Sequence, residues 1–61
     1  MVLFEFDASA LSVVERCAVS DKLDQSEEQS VVVGSTIKVF TNHPERISTP
    51  AGCKLIHRSD K

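Results

Sequence analysis

Cys17, His43, Cys53 and His57 are the side chains of this chain best suited to covalent or metal chemistry. Cys53 and His57 lie four residues apart, which on a strand sets both on one face, as a thiolate and its base would require. The same spacing suits two core-facing positions with Leu55 between them. A catalytic pair also needs a substrate pocket, which a thin core seldom supplies. Together the four residues would make a tetrahedral zinc set, but structural zinc sites usually draw their ligands as close pairs on turns. Only Cys53 and His57 are close in sequence, and on a strand their backbones stand about 13 Å apart, at roughly 3.3 Å per residue. The GxSxG, HExxH, P-loop, GxGxxG and paired-cysteine motifs are all missing. No catalytic residue, metal or cofactor is assigned, and an enzyme is not expected.

The elements that would position these residues follow from periodicity. Val2 to Asp7 alternates, with Val2, Phe4 and Phe6 on one side and Leu3, Glu5 and Asp7 on the other, which predicts a half-buried strand. Across Ser9 to Ser20 a period of two gives no clean face. A helical period gathers Ala10, Leu11, Val13, Val14, Cys17 and Ala18 into one arc, with Leu11, Val14 and Cys17 expected in the core. Ser9 is one N-cap for this helix; Ser12 with Glu15 offers a capping-box spacing for a later start. Asp21 to Ser30 has one apolar residue and reads as a solvated loop. Val31 to Val33 and Thr36 to Thr41 are strands about Gly34-Ser35, read as a two-residue hairpin turn in preference to a bulge. Pro44 suits the first position of a short helical turn within Asn42 to Ile47. Ser48 to Gly52 is a turn, and Cys53 to Arg58 is the last strand.

The expected fold is α+β: one helix on one face of a small, mainly antiparallel sheet in the order β-α-β-β-β, forming a single domain over residues 1–61. Val33-Gly34-Ser35-Thr36-Ile37-Lys38-Val39 resembles the strand openings of many small SH3-like and OB barrels. That resemblance implies an all-β barrel as the alternative. At 61 residues, 41% hydrophobic and without Trp or Tyr, the chain is apolar enough to fold but builds only a thin core. Such a core gains from a partner. The N-terminus carries acid where a signal peptide carries base, and no apolar run approaches the roughly 18 residues of a membrane span. Two cysteines without a CxxC motif read as reduced, buried thiols, which points to the cytoplasm.

Charge divides the chain. Residues 1–30 hold seven acids and two bases, net −5; residues 31–61 hold two acids and five bases, net +3, for −2 overall. Lys38 and Phe40 share a strand parity, as do Lys54, Ile56 and Arg58. If the last two strands are neighbours, these five residues form one face, with an apolar pair rimmed by bases. A solvated sheet face is the plain reading of that set. The functional reading is a partner-binding surface made of Lys38, Phe40, Lys54, Ile56 and Arg58, anchored by Phe40 and suited to a protein with an acidic or mixed surface. The expected function is thus a non-enzymatic protein-binding module, either a small subunit of a larger assembly or a compact regulator or inhibitor. The alternative is a nucleic-acid-binding module using the basic C-terminal half. Overall acidity and a single aromatic on that face weigh against it.

Overall fold

A computed structural model describes residues 1–26 and 28–60. Strand β1 (Val2–Asp7) is followed by helix α1 (Val13–Gln25), then β2 (Gln29–Val33), β3 (Thr36–Thr41), a 3-10 turn at Pro44–Arg46, and β4 (Lys54–Ser59). The four strands form one sheet in the order β2-β3-β1-β4, and every neighbouring pair is antiparallel. The fold is the α+β arrangement expected from the sequence. The sheet is open: β2 and β4 each have a single neighbour, so no barrel closes.

Alternation builds the core. Phe4 and Phe6 of β1 and Ile37 and Val39 of β3 point to the helix side and, with Ala8, make up the buried cluster. The two Phe rings lie nearly parallel, 6.1 Å between centroids. Val33 pairs with Thr36 across Gly34-Ser35, so this dipeptide is a two-residue hairpin turn. Gly34 has φ +58°, the left-handed conformation that the first central position of such turns needs. A second turn, Pro50 to Cys53, closes with Cys53 N–H donating to the Pro50 carbonyl at 3.0 Å. Its Gly52 has φ +83°, and a Cβ there would lie 2.7 Å from Leu11 Cδ2.

The helix departs from expectation in three ways. It begins at Val13 because Ser12 is the cap: Glu15 N–H donates to Ser12 Oγ at 3.2 Å, and Ser12 N–H to Glu15 Oε1 at 2.8 Å. It runs on to Gln25, through residues expected in a loop, because Leu23 alone supplies a core contact for the added turn while its neighbours are exposed. Glu27, within that expected loop, lies outside the described residues. Glu28 is buried, with Thr41 Oγ1 donating to its carboxylate at 3.3 Å.

The third difference is rotation. Arg16, Val19, Ser20 and Leu23 are covered or half-covered, whereas Val13, Val14, Cys17 and Ala18 are exposed, Val14 by 78%. Only Leu11, ahead of the helix, packs on the core as expected. Hydrogen bonds set this orientation. Arg16 Nε donates to the Ala8 carbonyl at 3.0 Å and Nη1 to the Gly34 carbonyl at 3.3 Å. Ser30 on β2 donates its N–H to Asp24 at 3.0 Å, and its hydroxyl lies 2.6 Å from that of Ser20. Two of these ties are part-buried, where a polar group left without a partner costs about 1–3 kcal/mol.

Candidate interaction surface

The helix and the segment 42–53 lie on one side of the sheet; among the described residues no element covers the other. Residues paired across antiparallel strands share a face, so the pairing gives the layout of that bare side. Gln29, Phe40, Leu3 and Ser59 form one row, and Val31, Lys38, Glu5 and His57 the next. Val33, Thr36, Asp7 and Lys54 form the third. Phe40 and Leu3 are half-buried cross-strand neighbours, while Val31 and Val33 are 49% and 52% exposed at the β2 edge. Apolar and charged groups therefore share this face.

Its charges face opposite charges. Lys38 Nζ lies 3.9 Å from Glu5 Oε1. Asp7 pairs across the ladder with Lys54 and keeps its carboxyl below the usual range. The main cause is the Ser9 N–H, which donates to it at 2.9 Å, with the Ser9 hydroxyl next and Lys54 and Arg16 helping.

The structure brings together Lys38, Phe40 and Lys54 of the expected surface, sends Arg58 to the other side and leaves Ile56 unpaired. Strand β1 lies between β3 and β4, so the last two strands are not neighbours. The β1–β4 ladder also carries a bulge: Phe6 pairs with Leu55 but Glu5 with His57, leaving Ile56 as the extra residue. From that point parity reverses. Arg58 pairs with Phe4 on the helix side, where its guanidinium stands 5.0 Å from the Phe4 ring centroid and Nε donates to Asp60 at 2.7 Å. There it screens Phe4 where the helix does not reach.

The bulge acts on the cysteine as well. His57 goes to the bare face with Glu5, while Cys53 packs against the core cluster on the other side. The strand spacing that suggested a nucleophile and its base does not bring the two together. Burial, and then the charge of Asp7, push the Cys53 thiol above its ordinary range, away from the reactive thiolate. Cys17 is free and exposed on α1, contrary to the expected buried thiol, because the helix turns that side outward. Among the described residues, no three His, Cys, Asp or Glu side chains converge as metal ligands, and no helix is long and apolar enough to cross a membrane.

Comparison with protein-family models, curated proteins and solved structures yields no match. Leu3, Val31 and Val33 were not among the residues expected at the surface. Alternation in β1 places Leu3 opposite Phe4 and Phe6, and alternation in β2 gives Val31 and Val33 a common face. Those signals were present; strand order was the missing piece.

Proposed function

We propose that this protein is a non-enzymatic binding module that holds another protein on the bare face of its sheet, as a small subunit or a compact regulator. The observation that carries the reading is a four-stranded sheet that the described residues cover on one side only, with Leu3, Phe40, Val31 and Val33 spread over the other. Phe40 sits between Gln29 and Leu3 in its row and is the natural anchor, since a half-exposed aromatic loses its remaining water on docking. Because Lys38 and Lys54 stand opposite Glu5 and Asp7, the partner that fits presents an apolar centre and mixed charge. The same pairing, with Arg58 on the other side, leaves Lys38, Lys54 and Arg58 without the continuous stripe that a phosphate backbone favours. A cytoplasmic setting accords with two unbridged cysteines.

The test compares capture of the partner by the wild-type chain and by Phe40→Ala, Val14→Arg and Arg58→Glu. Phe40→Ala should lose the partner at a stability cost of about 1–2 kcal/mol, less than the ~3–5 of a buried Phe. Val14→Arg, on the exposed side of α1, should capture normally. Arg58→Glu, on the opposite side from Phe40, should also bind normally at moderate salt. Raising salt from about 50 to 200 mM should change affinity little, whereas six to ten phosphate contacts would lose about 10³–10⁵. Full capture by folded Phe40→Ala would overturn the assignment.

A further inference from the structure

On the helix side of the sheet, away from the face just described, α1 and the segment 46–51 line an open groove of about 440 Å³. That size lies within the ordinary range for small-molecule sites, roughly 300–1,000 Å³. Its apolar lining comes from Val19, Leu23 and Pro50, all half-buried. Its polar lining carries two cations, Lys22 from the last turns of α1 and Arg46 from the 3-10 turn, with the hydroxyl-bearing Ser48 and Thr49 beside them. Among the described residues no carboxylate lines it, in a chain whose net charge is −2.

Two of the neighbouring acids are engaged elsewhere. Asp24 is turned to β2, where it accepts from both the N–H and the hydroxyl of Ser30. Glu45, next to Arg46, approaches His43 Nδ1 at 3.5 Å. Among the described residues neither Lys22 nor Arg46 has a carboxylate within ion-pair distance. The C-terminal end of α1 offsets only about half a unit of positive charge. Both side chains are exposed, so their charges are open to a ligand.

We propose that this groove binds a small organic phosphate monoester. At neutral pH such a group carries about −1.5 to −2 charges, which matches one guanidinium and one ammonium. Arg46 offers a planar fork to two phosphate oxygens, Lys22 a point charge, and Ser48 and Thr49 hydroxyl donors. The apolar strip of Val19, Leu23 and Pro50 takes the body of the ester. This assignment is independent of the bare sheet face, so either can fail without the other.

The experiment is a titration of the isotopically labelled full chain, followed by backbone amide shifts, with phenyl phosphate, inorganic phosphate and uncharged benzyl alcohol. Phenyl phosphate should give saturable shifts confined to the second half of α1 and to residues 46–51, and should bind more tightly than either fragment. Lys22→Gln and Arg46→Gln should each weaken it about tenfold, the loss expected for one charge-assisted contact. Lys54→Gln, on the other side of the sheet, should leave it unchanged. Affinity should also fall as pH drops below about 6, where the phosphate takes up its second proton. Absence of saturation at millimolar phenyl phosphate, equal binding of benzyl alcohol, or undiminished binding by the folded Lys22→Gln/Arg46→Gln variant would each overturn the assignment.

Discussion

Ser12 and Glu15 show how much two side chains decide at the start of α1. Each satisfies a backbone N–H of the other, and the helix takes its origin from that exchange. The Ser12 N–H, donating to the Glu15 carboxylate, holds it below its ordinary value of 4.5, with the Ser12 hydroxyl adding to the effect. The folded chain therefore binds this proton less readily than the unfolded chain. The resulting stabilisation is present in full above about 4.5 and disappears as pH falls through the lower folded value. Asp7 behaves in the same way from its ordinary 3.8. Ser12→Ala should cost about 1 kcal/mol at neutral pH. In urea titrations, wild type should exceed Glu15→Ala in stability at pH 7, and the difference should narrow at pH 3. The capping box was legible in the sequence because its signal is local. The exposure of Cys17 was not, because it depends on what the far side of the helix bonds to.

At the scale of elements, the strands follow period two closely. β1, β3 and the hairpin between β2 and β3 stand where alternation and Gly34-Ser35 put them. The helix and β4 show what periodicity omits. An arc of Val, Ala and Cys was expected to turn inward, yet the bonds of Arg16, Ser20 and Asp24 turn it outward. In β4 one extra residue, Ile56, reverses the parity of all that follows, and so only part of the expected Lys38, Phe40, Lys54, Ile56 and Arg58 surface shares a face. A bulge is a property of the pair of strands and leaves little trace in either one alone. Ile56 has no partner on β1 and is 58% exposed. Deleting it should leave Leu55 opposite Phe6 and His57 opposite Glu5, and the shortened chain should fold with a similar circular dichroism spectrum. Deleting Ile37 instead would throw part of β3 out of register, and that chain should not fold.

At the scale of the molecule, five of the described residues make up the buried apolar cluster. Stability at roughly 0.05–0.15 kcal/mol per residue comes to about 3–9 kcal/mol here. Phe6→Ala, at about 3–5 kcal/mol, should remove most of it, and denaturant titration should show a weakened or absent cooperative transition. The α+β class was readable from the sequence; the strand order was not, because nothing in β1 alone says that β3 and β4 flank it.

That placement has a consequence for how the chain is made. Leu3 pairs with Ser59 and Val2 with Thr41, so the earliest strand is also an inner one, bounded on both sides by much later segments. As the polypeptide leaves the ribosome, Phe4 and Phe6 emerge long before β3 and longer still before β4. The half-made chain therefore carries two bare phenylalanines next to an unpaired strand, the type of segment that chaperones hold and that neighbouring nascent chains can capture. The sheet becomes complete only when β4 arrives, so its folding waits for residues 54–59.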